Sequence, residues 1–332
     1  MKVACEIFGP ERVARATTAI IVPACNEADR IGACLDALAA LRGGETAVIH
    51  VCVNNSVDAT AQIVGDRAVG HGLALVLSEV TLPRGGVGRA RRLGHLLAMR
   101  HSPDARFLLS TDADCQAEPD WLATMTRELE SHPAAIGRID SLDDLPPHLL
   151  EKVRAGGELE DSYMRLSLEF SLLLETDMSG ALGLNTAGGA NLGIRRDTYR
   201  AIGGYRALES REDRDLIDRV VQAGLRPVRV PDAIVRASLR PDGRAPGGMA
   251  DKIAQRIAGA DGELDSALAP VDAMWPCLSG RVRQSRKALS REEAARNLPI
   301  LATHVERLRG LSCRQERLRY LEEIRLPAGQ RV

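Results

Sequence analysis

From residue 18 onward, short β-branched runs alternate with stretches of helical periodicity, and this rhythm narrows the available folds more than any other feature of the chain. Strands separated by amphipathic helices can pair in parallel, because each helix spans the crossover and covers a face of the sheet. Residues 18–23 read as a buried strand. Ile31, Cys34, Leu35, Leu38 and Leu41 then share one helical face that stops at Gly43-Gly44. Further strands are expected over 47–53, 73–80 and 107–110, with helices from about Ala59 and around Leu93, Leu96 and Leu97. The expected class is α/β, a mostly parallel sheet flanked by helices.

Residues 140–180 interrupt the rhythm with an acidic, mostly helical insert whose Tyr163, Leu166, Phe170, Leu173 and Leu174 form one apolar stripe, expected to pack on the sheet. Alternation resumes with 189–195, a helix ending at Gly203-Gly204, a helix over 212–223 and strands over 226–230 and 233–237. Beyond Pro241 comes a Gly-rich loop and then helices with a stripe of Leu298, Leu301, Val305 and Leu308.

Composition excludes several classes. The 332 residues are 45% apolar and 27% charged, as in globular proteins, which argues against wholesale disorder or a fibre. Aromatics are 3% and net charge is −1, so neither base stacking nor a global electrostatic pull toward nucleic acid is supported. Residues 281–332, with thirteen basic and six acidic side chains, form a basic helical C-terminal segment suited to peripheral membrane contact. Seven cysteines without a CxxC pair suggest neither a zinc ribbon nor a disulfide framework, and are expected to be reduced and mostly buried. No run reaches the roughly 18 apolar residues of a membrane span, and the first twenty residues lack a signal core. A cytoplasmic protein without a transmembrane span is expected.

The chemistry gathers where strands end, the place where open α/β sheets bind ligands. Asp112 and Asp114 follow the strand over 107–110 at i and i+2, so both carboxylates can turn toward one ligand. Paired hard oxygen ligands suit Mg²⁺ or Mn²⁺ bridging a diphosphate, although a solvated acidic loop has the same spelling. The stretch GVGRARRLG (86–94) invites a dinucleotide reading, but the third glycine of G-x-G-x-x-G falls on Arg91, which removes it.

The order of segments adds a resemblance. AIIVPACNEADRIGACLDAL (19–38), VCVNNSVDATAQIV (51–64), GVGRARRLG, FLLSTDADCQAEPDWL (107–122), GGANLGIRRDTYRAIGGY (188–205) and EDRDLIDRVVQAGLRPVRVPDAIV (212–235) together resemble glycosyltransferase family 2 over about 18–238. The resemblance implies a GT-A fold over 1–240, with a nucleotide-binding half at about 18–139, an acceptor half at about 180–240 and a C-terminal extension over 241–332. It implies that Pro23, Asn26 and Glu27 lie against the nucleoside of the donor, and that Asp112 and Asp114 form the metal and ribose-diphosphate motif with Asp114 as direct ligand. Glu212-Asp213 would be the acidic pair at a helix start, Asp213 acting as general base in inverting members, and Gly188-Gly189 would pass under the donor sugar. Helix capping and tight packing are the plain alternatives for Asp213 and the glycines.

Two departures stand out. Asn54-Asn55-Ser56, with Asp58 following, replaces a loop whose acidic residue contacts the base, and Asn offers both donor and acceptor where Asp only accepts. Arg236-Ala237-Ser238 stands where a histidine often completes metal binding; Arg236, Arg240 and Arg244 could hold the diphosphate or an anionic acceptor. The reading is a metal-dependent transferase carrying one sugar per turnover from a nucleotide-diphospho-sugar to a hydroxyl acceptor, small or lipid-linked, with inversion. A retaining transferase, or a silent nucleotide-sugar-binding protein of the same fold, stays open beside it.

Overall fold

A computed structural model describes residues 3–82, 86–174, 185–243, 247–260, 262–271, 274 and 289–325. By packing, the chain divides into two compact units, 1–146 with 187–254, and 147–186 with 255–332.

The first unit is built on a nine-stranded sheet: β1 Val3–Phe8, β2 Thr18–Ala24, β3 Ala47–Asn54, β4 Leu75–Val80, β5 Phe107–Ser110, β6 Cys115–Ala117, β7 Ala134–Ser141, β8 Leu192–Arg195 and β9 Val228–Ala237. Their spatial order is β1-β4-β3-β2-β5-β8-β7-β9-β6. The four central strands β4, β3, β2 and β5 run parallel, as expected for strands joined through helices. β7 and β9 are also parallel, whereas β1 on β4, β8 between β5 and β7, and β6 on β9 are antiparallel. The helices of this unit are α1 Pro10–Arg15, α2 Ile31–Ala39, α3 Thr60–Gly70, α4 Gly86–His101, α5 Trp121–Ser131, α7 Arg196–Ala201 and α8 Glu212–Gln222. Every residue of β2 is buried, and Ile20 and Val22 pack with Leu35 of α2 and Leu109 of β5 in the main core.

The two strands expected over 226–237 are one strand. Its register against β7 jumps from Gly137↔Val230 to Arg138↔Ile234, so Pro231, which has no N–H to give, sits in a bulge. β1 has a mostly exposed face pattern at the sheet edge, so no apolar alternation announced it.

The second unit holds α6 Pro147–Leu173, α10 Arg291–Arg309 and α11 Arg314–Arg325; the division between units falls inside α9 Met249–Ala258. The stripe on α6 is real, but its core is helical and not the sheet: Tyr163, Leu166, Phe170 and Leu174 pack with Leu301, Val305, Leu308 and Leu321. α10 opens with a capping box, Ser290 accepting from the Glu293 N–H while the Glu293 carboxylate accepts from the Ser290 N–H. α10 and α11 carry eight basic and six acidic residues, so the basic excess of the C-terminal segment lies mainly outside these two helices. Among the described residues no helix is long and apolar enough to cross a membrane. Cys34, Cys52 and Cys115 are buried as expected, while Cys5 and Cys313 are exposed.

Candidate active site

Register alone brings the polar motifs to one end of the sheet. β2, β3 and β5 run parallel, so Asn26-Glu27, Asn54-Asn55 and Asp112 all leave from the same edge. β8 is antiparallel to β5 with Leu192 opposite Ser110, so the Gly188–Asn191 turn entering β8 lies beside the exit of β5. β9 ends with Ala237 opposite Cys115, and the Ser238 N–H donates to the Asp114 carbonyl at 3.1 Å. Residues scattered over more than 200 positions therefore meet around the acidic motif.

The hub is Arg91, which sits on α4 with its side chain 3% exposed. Its Nε donates to Glu212 at 2.8 Å, one terminal nitrogen to Ser110 Oγ at 2.9 Å and the other to Asp112 Oδ1 at 2.5 Å. Burial by itself would favour discharging the guanidinium, but Asp112 and Glu212 hold it firmly charged. The backbone behind it is also tied down: the Arg91 carbonyl accepts from Nδ1 of His95, whose ring stacks on Tyr199 at 4.8 Å. Burial pushes His95 down to about 3, so this imidazole is neutral and structural. Gly88 lets α4 come this close; a Cβ there would lie 2.7 Å from the Leu208 carbonyl and 3.0 Å from Cβ of Glu212.

Glu212 is buried, paired with Arg91 and raised in pKa by desolvation and by Asp213, so it faces the protein interior and holds Arg91 in place. Asp213, one residue on, is half-buried. Its Oδ2 accepts from the Gly189 N–H at 2.8 Å and its Oδ1 from the Arg214 N–H at 2.7 Å. Two backbone donors fix the carboxylate and leave lone pairs on both oxygens for a further proton. The Gly189 turn is anchored by buried Asn191, which accepts from Trp121 Nε1 at 2.7 Å and donates to the Arg138 and Ala233 carbonyls. A Cβ on Gly189 would run into the Arg91 guanidinium. Gly189→Ala is therefore expected to displace Arg91, at a cost of about 1–3 kcal/mol of overpacking, and to lower both the melting temperature and donor affinity. A variant matching the parent in both would remove Gly189 from the site.

Asp112 and Asp114 share a cluster with Cys115 in which the potential ligand atoms lie within 4.8 Å of one another. Burial and the two aspartates push the Cys115 thiol well above its ordinary pKa, and the two carboxylates are the oxygen groups of the cluster that suit a hard divalent cation. Their side chains are 33% and 20% exposed, open enough to admit a hard divalent cation whose other positions water and phosphate oxygens can fill. Burial and the neighbouring Asp112 raise Asp114 in pKa, and Arg240 opposes the shift. A cavity of about 580 Å³ opens beside Asp114, walled by Arg30, Cys34, Gln116, Asp144 and Ser238.

Of the arginines expected after the last strand, Arg240 reaches this cluster. Its guanidinium, 7% exposed, is bidentate to Glu27 at 2.8 and 2.5 Å and lies 2.9 Å from Asp114 Oδ2. Arg236 does not join it: it is half-exposed and paired with Glu118 at 2.7 Å. Arg244 lies outside the described residues.

The loops expected at the nucleoside bond chiefly to each other. Asn26, in the left-handed region at φ 54°, accepts from the Val57 N–H and donates its own N–H to Ser56. Asp58 accepts from the Ala28 N–H, the Thr60 N–H and the Thr60 hydroxyl; burial is the largest single effect and pushes upward, but these bonds together outweigh it and hold the carboxyl below the ordinary range. Asn55 closes a ring with the Leu82 backbone, donating at 3.1 Å and accepting at 2.7 Å, and Asn54 donates to the Ala24 carbonyl. Pro23 is a buried member of β2, lying beyond Ile21, the last residue of that strand in register with β5, where its missing N–H disturbs only one neighbour.

Residues 19–180 match the family described as glycosyl transferase family 2. The chain carries a family 2 glycosyltransferase segment. No curated protein sequence matches it. Among solved structures, the Pyrobaculum calidifontis mannosyltransferase PcManGT, in complex with GDP-Man and Mn²⁺, aligns with 96% of this chain and 83% of its own at 20% identity and a TM-score of 0.52. S. aureus TarS 1–349, in complex with UDP-GlcNAc, aligns over 92% of this chain and 87% of its own at 18% identity and the same TM-score. The family 2 segment thus sits in a GT-A fold. Arg91, the hub of its site, was not among the residues singled out from sequence.

Proposed function

We propose that this chain is a non-processive, metal-dependent glycosyltransferase that moves one sugar from a nucleotide-diphospho-sugar to a hydroxyl acceptor with inversion. The observation that carries the reading is the Asp112–Arg91–Glu212 network, which joins the acidic motif after β5 to the start of α8 and so sets Asp213 beside the Gly189 turn.

In this reading Asp112 and Asp114 hold a divalent ion, which when bound supplies positive charge to the diphosphate. Arg91 fixes Asp112 so that its second oxygen faces the ribose and diphosphate. Gly189, without a side chain, lets the Arg91 guanidinium lie against the turn over which the donor sugar would pass. Asp213 accepts the acceptor's hydroxyl proton as its oxygen attacks the anomeric carbon from the face opposite the leaving group, and the nucleoside diphosphate departs with the bonding pair. The first loop frames the nucleoside with its backbone, which Glu27, paired with Arg240, and Asn26, bonded to the Val57 loop, hold in shape. The acceptor is a small or lipid-linked alcohol. GDP-Man and UDP-GlcNAc, bound by the two structural neighbours, are the first donors to try.

A thermal-shift panel of UDP- and GDP-sugars with and without Mn²⁺ tests the binding half of this reading, since a ligand at a hundred times its dissociation constant stabilises by about 2.7 kcal/mol. At least one donor should raise the melting temperature more with Mn²⁺ than without. Asp114→Ala should abolish that metal-dependent increment while the ligand-free protein melts near the parent temperature. Metal-dependent affinity surviving in Asp114→Ala would remove Asp114 from the metal site.

A further inference from the structure

Both aspartates of the acidic motif are already paired with an arginine, and the two pairs differ in kind. Arg91 on Asp112 belongs to a buried network that also holds Glu212 and Ser110. Arg240 on Asp114 comes from the turn after β9, and that turn is tightly built: the Ser238 hydroxyl donates to Asp144 at 2.5 Å and accepts from Arg30 at 3.1 Å. The Leu239 N–H donates to Asp144 at 2.8 Å, and the Ser238 N–H to the Asp114 carbonyl. Glu27 then grips the guanidinium on two nitrogens, leaving Nη2 shared between Glu27 Oε1 and Asp114 Oδ2. The head group is therefore positioned from both ends, and a planar fork so held stays on Asp114 until another anion offers to replace that bond.

We infer that Arg240 is a tethered counter-cation that competes with the divalent ion for Asp114, so that metal alone binds weakly and binds well once a diphosphate draws the guanidinium away. The inference rests on Asp114 being a metal carboxylate. Its physical basis is charge: an arginine 2.9 Å from Oδ2 already neutralises that carboxylate and repels a divalent cation brought to it across the few ångströms of the cluster, so each weakens the other's hold on Asp114. A nucleoside diphosphate relieves the conflict, because its oxygens accept the guanidinium by charge-assisted bonds while the ion takes the freed carboxylate. Metal and diphosphate then bind with positive coupling through Arg240.

The test is a titration with Mn²⁺ alone, followed by the loss of the free-ion electron paramagnetic resonance signal, on parent and on the double variant Glu27→Gln/Arg240→Gln. The double change leaves net charge unaltered and gives two amides able to bond each other, so a gain in affinity reports the freed Asp114 and not a more negative site. The double variant is expected to bind Mn²⁺ about tenfold tighter than the parent, equivalent to about 1.4 kcal/mol, and to lose the gain when Asp114→Asn is added. Arg240→Lys, which keeps a cation for Glu27 without the fork that spans both carboxylates, is the second variant and should shift affinity in the same direction. Equal Mn²⁺ affinity in the parent and both variants, with Asp114→Asn weakening binding in each, would overturn the competition and leave the metal site standing. Mn²⁺ affinity indifferent to Asp114→Asn in every background would overturn the metal assignment, and the inference with it.

Discussion

Asp213→Asn should bind the nucleotide sugar as the parent does and transfer it at a rate lower by roughly 10² to 10⁴, the usual cost of removing a general base. The asparagine carbonyl can keep one backbone bond, from either the Gly189 or the Arg214 N–H, so the turn and the start of α8 stay in place. What is lost is the ability to take a proton. Steady-state kinetics separate the two effects: the turnover number falls while the donor dissociation constant, measured calorimetrically, stays within about twofold, a difference of roughly 0.4 kcal/mol. Glu212→Gln provides the contrast. Glu212 is buried against Arg91 and faces away from solvent, so its loss should act through Arg91's position and weaken donor binding along with turnover. Parental turnover in Asp213→Asn would exclude Asp213 as the base.

Arg91→Met is expected to be the most destabilising single change in the site. The methionine fills much of the volume but leaves Glu212, 4% exposed, and Asp112 without the cation that balances them. Removing one partner of a buried ion pair costs about 3–5 kcal/mol, which for a domain of this size lowers the melting temperature by roughly 6 to 20 °C. Arg91→Lys should recover only part of this, because an ammonium group cannot spread over Glu212, Ser110 and Asp112 at once. Adding Glu212→Gln to Arg91→Met removes the most buried orphaned charge and should restore several degrees. If Arg91→Met melts within 2 °C of the parent, the network is not what joins the acidic motif to α8.

These two residues also show how far the sequence could be read. Asp213 was pointed to by the order of segments that resembles family 2, since an acidic residue opening a helix could equally be a cap, and Asp112 and Asp114 stood out because they follow an apolar strand. Arg91 was not, since an arginine within an Arg-rich helical stretch looks solvated; its meaning depends on Glu212, 121 positions away, and on small residues such as Gly88 and Gly189 that let the elements close around it. The central strands were legible because burial on both faces writes a continuous apolar run, as in β2 and β3. β1, largely exposed, writes none. On α6 the periodicity of Tyr163, Leu166 and Phe170 named the buried face but not its cover, which proved to be α10 and α11. Asn26, Asn55 and Asp58 were read as facing a ligand, whereas much of their bonding capacity joins loop to loop, a distinction that residue type cannot carry.

The most direct measurement follows the donor sugar itself by time-resolved ¹H NMR, with Mn²⁺ and a panel of nucleotide sugars, using water or an added alcohol as acceptor. On this account one donor is consumed, nucleoside diphosphate accumulates, and the sugar appears first in the anomeric configuration opposite to that of the donor, with the signal lost in Asp213→Asn. A sugar that keeps its configuration, or a donor that binds and remains intact with every acceptor, would contradict it.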